Sequence, residues 1–341
     1  MDDQISVAEQ INNPITNARH LIILGAGASR AACPNGDKNG RKIPLMNEIG
    51  TLIGISCILK EYGVEYNGEN FEEFFSRLII EERDSKLIGR IEKEIYQYFN
   101  SLVIPDTPTV YDYLILSLRE KDVIATFNWD PLLFQALYRN KQFPCPHVLF
   151  LHGNTAIGHC PSMDHKWVGP IGAKCPDCDK KLTSTKLLYP VTNKDYTTDP
   201  FIKNQWKTFE EVINEDSFII TIFGYSAPKT DIEARDAMKK AWDQSTRKDF
   251  GEIEVINIDD EEKIYKTWKP FIVRSHYRIY KSFFESLSHR WPRRSCEQVW
   301  NQFFMLRLTE KNTQPIVDTL YELQKWHLAL INAERNASQS K

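Results

Sequence analysis

Four short stretches of this 341-residue chain carry side chains whose types and spacing could do chemistry. Cys175-Pro-Asp-Cys178 is a C-x2-C knuckle, in which two thiolates can share one ion while backbone amides turn toward sulfur, as in structural zinc sites. Fourteen residues separate Cys160 from Cys175, and Met163 stands where the second cysteine of a paired knuckle would be. A thioether is a poor zinc ligand, so three thiolates need a fourth group: His165 or His159, with Cys145 a remoter choice. The alternative is a loop held by packing without an ion; a redox knuckle lacks the helix start that lowers a thiol pKa. His152 follows the apolar run Val148–Leu151 and precedes Gly153, so it is poorly explained as core filling. Histidine exchanges a proton near neutral pH, which suits general acid or base work; a structural, hydrogen-bonded histidine is the competing reading. Asn128 and Asp130, in Asn-Trp-Asp-Pro, follow the run Val123–Phe127. Polar residues just past a strand of an α/β sheet lie in the ligand crevice, although Asp130 could simply cap the helix that begins near Pro131. The fourth stretch is HLIILGAGAS, residues 20–29: Gly25 and Gly27 admit a ligand's phosphates or another backbone, and N–H groups after the turn point at an anion. Its match to G-x-G-x-x-G is incomplete, because Arg30 takes the third glycine position.

These residues need strands to carry them. Leu21–Leu24, Val123–Phe127, Val148–Leu151, Ser217–Phe223 and Glu252–Ile258 are short branched or aromatic runs alternating with helical patterns, which predicts an α/β fold. The expected architecture is a Rossmann-like parallel sheet with helices on both faces. Ser217–Phe223 ends in Gly224-Tyr225-Ser226, and Glu252–Ile258 ends beside Asn257 and two aspartates, again the placement used for phosphate or ribose. Residues 31–44 read as a loop, either a pocket wall or an idle surface loop. Between the first two strands, 45–120 reads as a helical insertion. Its parts are Leu45–Tyr62, a stripe of Phe71, Phe74, Phe75 and Leu78 behind an Asn70 N-cap, Leu87–Tyr98 and Thr109–Arg119. Further helices are predicted over Ser6–Asn12, Phe201–Ile213, Asp231–Trp242, Arg274–Leu287, Gln298–Thr309 and Val317–Asn332. The basic, aromatic run His289–Arg294 is expected to be a solvated helix junction rather than a nucleic-acid contact.

Composition narrows the class. With 43 basic and 46 acidic residues there is no global field for nucleic acid or an acidic membrane. Seven cysteines, an odd and scattered set, do not make a disulfide scaffold. The polar, acidic start lacks a signal peptide, and no apolar run approaches the roughly twenty residues of a membrane helix, so a cytoplasmic protein is expected.

The ordered set GAGAS (25–29), TFNWD (126–130), LHG (151–153), the cysteine insert (160–178), GYS (224–226) and VINID (255–259) resembles the sirtuin family over about residues 18–285. The resemblance implies an NAD-binding domain over 1–285, containing the 45–120 insertion and a cysteine module at 155–185, followed by a helical extension over 286–341. It implies that Gly25, Ala26, Gly27 and Ser29 hold the pyrophosphate of NAD+. Asn128 and Asp130 would face the nicotinamide ribose and amide, with Thr126 among the cofactor contacts. His152 would be the catalytic histidine, and Gly224, Ser226 and Asn257 would contact phosphate and adenine ribose; apart from the resemblance, the knuckle's own residues make Cys160, Cys175, Cys178 and His165 the expected Zn2+ ligands. Sirtuin deacylases follow the glycine turn with a run like GIPDFRG, carry four zinc cysteines, and have a peptide-binding strand after the zinc loop. Here RAACPNGDKNGRKIP, three cysteines with Met163, and LLYPVTNKDYTTDP stand in those places. The pattern is more similar to the sirtuin-like domains of bacterial antiphage defence, which hydrolyse NAD+. That implies self-assembly into a homo-oligomer or a partner such as a HerA-like ATPase, without membrane or direct nucleic-acid binding. The alternatives are an NAD-dependent lysine deacylase and a catalytically silent NAD or ADP-ribose sensor.

Overall fold

Buried parallel strands read as branched apolar runs because both faces are covered, and such runs form the centre of one six-stranded sheet. They are β1 (Arg19–Leu24), β2 (Val123–Thr126), β3 (His147–Phe150), β4 (Ser217–Phe223), β5 (Glu252–Ile256) and β6 (His276–Tyr280). The computed structural model describes residues 4–15, 17–66, 68–81, 85–162, 165, 167–191, 196–227, 231–245, 251–272 and 275–339. All sheet pairings are parallel, in the order β3-β2-β1-β4-β5-β6. The chain therefore winds outward in one direction from β1 and then in the other from β4, so loops leave β1 and β4 toward opposite faces. The carboxyl ends at such a reversal are where folds of this kind hold their ligands.

Successive side chains of a strand point to opposite faces, and the core divides accordingly. Ile22, Leu24, Ile124 and Phe223 pack on one face with α1 (Ala26–Ala32), α2 (Phe71–Ile80), α3 (Ser85–Asn100), α4 (Val110–Leu116) and α5 (Leu132–Arg139). Leu21, Ile23, Val123, Ile220 and Ile222 pack on the other face with α6 (Pro200–Glu211), α7 (Ile232–Gln244) and α8 (Glu261–Ile272). The Asn70 side chain accepts from the backbone of Glu72 and Glu73 and so starts α2. The Phe71, Phe74, Phe75 and Leu78 stripe is fully buried, at about 2–3 kcal/mol per side chain relative to exposure. Phe75→Ala would cost about 3–5 kcal/mol. The insertion is a helical layer over the sheet, as its apolar spacing predicts.

Four readings are corrected. Leu45–Tyr62 is not one helix but short turns broken at Ile53–Gly54. His276–Tyr280, read as helix, is the edge strand β6, parallel to β5. Its sequence HYRIY alternates, but with polar residues because an edge strand is half solvated; Arg274 lies outside the described residues. The helix read over Gln298–Thr309 is α9 (Ser295–Phe303), which stops where Leu306 turns left-handed (φ 51°), and Leu308–Thr309 then pairs with Gln4–Ile5. The run His289–Arg294 is not solvated: His289, Trp291, Arg293 and Arg294 are all buried. Glu334 of α10 (Leu320–Gln339) makes this tolerable, accepting from Arg293 Nε at 2.8 Å and standing 3.6 Å from Arg294 Nη1.

A small antiparallel sheet with Ile157–His159 at its centre, flanked by Val168–Pro170 and Thr183–Ser184, stands beside the β3 edge. Among the described residues no helix is long and apolar enough to cross a membrane.

Candidate functional site

Leu24 of β1 is level with both Phe223 of β4 and Thr126 of β2, and Thr126 with Phe150 of β3. The residues just past these positions therefore share one end of the sheet. At the reversal of strand order the two glycine turns touch. Gly27 N–H donates to Gly224 O at 2.9 Å, and a Cβ on Gly25 would lie 2.5 Å from Tyr225 Cα. The close approach that Gly25 and Gly27 permit is thus to another backbone. Gly224 itself is left-handed (φ 62°), and a side chain there would collide with the Gly27–Ala28 backbone. Ser226 is exposed on this loop, while Asn257 builds the turn after β5 by accepting from Asp259 N.

Beneath the turn lies a buried network whose donors run toward Asp130. Asn128 Nδ2 bonds Gly25 O (2.9 Å) and Ser29 Oγ (3.0 Å), and Tyr111 OH is 2.7 Å from Ser29 Oγ. Ser29 Oγ donates to Asp130 Oδ2 at 2.7 Å. Since an ionised carboxylate only accepts, Tyr111 must donate to Ser29. Asp130 also supports α5 through Leu132 N, so it caps the helix and closes the network at once. Burial raises its carboxyl to about 6, against the lowering effect of Ser29 and Leu132. Thr126 Oγ1 accepts from Asn128 N and fixes the turn. Asn154 Nδ2 donates to Asp130 O at 2.6 Å, and Thr155 bonds Trp129 O, which ties the loop after β3 to the loop after β2. The 31–44 loop is held in place by the buried Asp37 carboxylate, which accepts from Asn39, Arg41 and Val103 backbone N–H groups.

His152 occupies on β3 the position that Asn128 occupies on β2. Gly153 is left-handed (φ 75°) and runs against Lys186 O, a path no side chain would allow. The imidazole meets Phe127 edge-on at 4.9 Å, and its Nε2 lies 3.0 Å from Tyr196 OH, which donates to Asp231 Oδ1 at 2.7 Å.

In the cysteine module, Cys160, His165, Cys175 and Cys178 present ligand atoms all within 4.8 Å of one another. Cys160 Sγ is 3.5 Å from Cys178 Sγ, and His165 Nδ1 is 3.7 Å from both Cys160 Sγ and Cys175 Sγ. Tetrahedral bonds of about 2.3 Å to sulfur and 2.0 Å to nitrogen imply ligand separations of about 3.5–3.8 Å, so the set can hold an ion such as zinc. Burial opposes ionisation of Cys175, but the Asp177 and Cys178 backbone N–H groups outweigh it and bring the thiol down to about 7. The choice of fourth ligand is resolved: His159 instead stacks on Phe201, and Cys145 donates to carbonyls of Asn140 and Phe143. Met163 lies outside the described residues.

Sequence reasoning missed Tyr111, Tyr196 and Asp231. Each stands far along the chain from its partner, in a stretch read only as helix or as standing where a peptide-binding strand would be, while Asn154, two residues after His152, carried a local signal. Compared with models of known families, the sequence matches none, and no curated protein matches it.

Proposed function

We propose that this chain is a sirtuin-like NAD+ hydrolase, releasing nicotinamide and ADP-ribose. One observation carries the reading: the reversal of strand order in a β3-β2-β1-β4-β5-β6 sheet, the dinucleotide crevice of such folds, coincides with the buried Asn128–Ser29–Asp130 network and with His152 on the next strand end. NAD+ as substrate brings its own leaving group, a neutral base, so the protein must mainly orient, desolvate and stabilise charge on the ribose. Asn128, held by Gly25 O and Ser29, would fix the ribose and position the attacking water. His152 would accept the proton from that water or from a ribose hydroxyl. Asp130 would anchor the nicotinamide-side network through Ser29.

Hydrolysis is favoured over deacylation because the 31–44 segment, where a deacylase carries its nicotinamide loop, has an unrelated sequence locked by Asp37. We further assign Zn2+ to the Cys3His set, in a structural role, since four ligands leave no open position for chemistry. A HerA-like or other defence partner, or a homo-oligomer, belongs to the same proposal and rests on the resemblance alone. The test is NAD+ turnover by the pure protein with and without an acylated peptide, beside Asn128→Ala. Equal nicotinamide and ADP-ribose without peptide supports the reading. Product that appears only with peptide, as O-acyl-ADP-ribose, favours the deacylase.

A further inference from the structure

Two groups in a row approach His152 from outside the Asn128 network. Tyr196, between the cysteine module and α6, places its hydroxyl 3.0 Å from His152 Nε2, and Asp231, at the start of α7, accepts from that hydroxyl at 2.7 Å. Direct contact between His152 Nε2 and Asp231 Oδ2 is 3.8 Å, too long for a hydrogen bond, so the phenol is the link. A phenol has one proton. If it goes to a carboxylate, which has none to give, the phenol oxygen must accept from the histidine, and Nε2 must carry hydrogen. Burial and the Asp231 carboxylate both push the Tyr196 phenol well above its ordinary range, which keeps that proton in place. The imidazole is held as well as polarised: Tyr196 lies nearly parallel to it (20°), and Phe127 meets it edge-on (81°).

Resting on the NAD+ reading for its use in catalysis, we propose that Tyr196 and Asp231 are positioning residues that fix His152 as the Nε2–H tautomer, so that Nδ1 is the nitrogen that takes the proton. A carboxylate acting through a hydroxyl also stabilises the imidazolium that forms. The other ionisable groups at this corner are Tyr225 and Glu233, which act on Tyr196, and Glu72 and Arg235, which act on Tyr225.

The test uses the full chain with 15N-labelled histidine. The tautomer of the resting protein is read from two-bond 1H–15N spectra, with His152 assigned by its disappearance in His152→Gln, and Tyr196→Phe and Asp231→Asn are compared by melting and by the pH profile of NAD+ turnover. The expected result is the Nε2–H pattern in the wild type, lost or mixed in Tyr196→Phe. Turnover in both variants should fall ~10-fold or more, with the acid limb moved to lower pH because the imidazolium has lost its support. A wild-type Nδ1–H pattern overturns the inference. So does an unchanged tautomer and pH profile in both folded variants, which would leave the row as a staple between α7 and β3. The tautomer needs no NAD+, so a wild type that shows it and hydrolyses nothing overturns the hydrolase reading and leaves this assignment supported.

Discussion

Buried polar side chains gather in two regions of the sheet, and their chemistry is similar while their placement is not. At the carboxyl ends, Asn128, Ser29, Tyr111 and Asp130 are linked under a glycine turn. Within the strands themselves, His20, Thr221 and Glu254 form an equally continuous row across β1, β4 and β5, extended by Ser295 of α9: His20 Nδ1 is 2.8 Å from Ser295 Oγ and its Nε2 is 2.7 Å from Thr221 Oγ1. Thr221 in turn donates to Glu254 Oε2 at 2.7 Å. Burial pushes His20 down to about 3, a larger departure than that of Asp130, and Glu254 up to about 7, a comparable one. Titration alone would rank the second row as the functional one. Among the described residues it is covered by Leu287 N–H on Glu254 and by α9. A strand end beside glycines, not the size of a pKa shift, separates a candidate site from structural wiring.

The comparison makes predictions of descending size. Asn128→Ala and His152→Ala should each lower NAD+ turnover per folded molecule by ~10²–10³-fold or more, and Asn128→Ala should also cost ~1–3 kcal/mol of stability because Gly25 O and Ser29 lose a buried partner. Normal turnover in either folded variant breaks the assignment of the carboxyl-end region. His20→Leu should do the reverse, costing ~2–4 kcal/mol in urea unfolding because Ser295 and Thr221 lose their partner, with turnover per folded molecule unchanged. The pH dependence sharpens this second region. Glu254, raised from its unfolded value near 4.3, binds a proton more tightly when folded, so its contribution to stability falls as pH rises from about 4.3 to 7. His20, lowered from about 6.5, does the opposite: stability is lost as pH falls below 6.5 toward 3. The two slopes oppose each other between pH 4.5 and 6.5, and Glu254→Gln should leave the histidine slope alone, so that unfolding free energy climbs with pH in that window. A flat profile in that variant contradicts the row as drawn. Smallest is Arg294→Met. The guanidinium makes no hydrogen bond among the described residues and is pushed down to about 10 by burial, so an apolar replacement should be neutral or stabilising by ~1 kcal/mol.

Much of the site was legible in the sequence because strands announce their own ends. Leu21–Leu24, Val123–Phe127 and Ser217–Phe223 are apolar runs that stop at glycine or at polar residues, and the structure brings those stops together at one end of the sheet. The cysteine knuckle was legible for the same reason, since its ligands are local. What local pattern cannot supply is a partner supplied by folding. Tyr111 reaches Ser29 across 82 residues, and Tyr196 reaches His152 across 44, from stretches with nothing else to mark them. The His289–Arg294 run reads as a solvated junction until Glu334 is brought against it, and β6 reads as helix because an edge strand carries polar residues.

The central claim is that the carboxyl-end region adds water to the ribose of NAD+. The most direct measurement is incubation of the pure chain, alone and then with candidate defence partners, with NAD+ in 18O-labelled water and mass spectrometry of the products. The account predicts free nicotinamide and ADP-ribose carrying one 18O from the attacking water, both abolished in Asn128→Ala. NAD+ that stays intact under all these conditions, or ADP-ribose without the label, contradicts it.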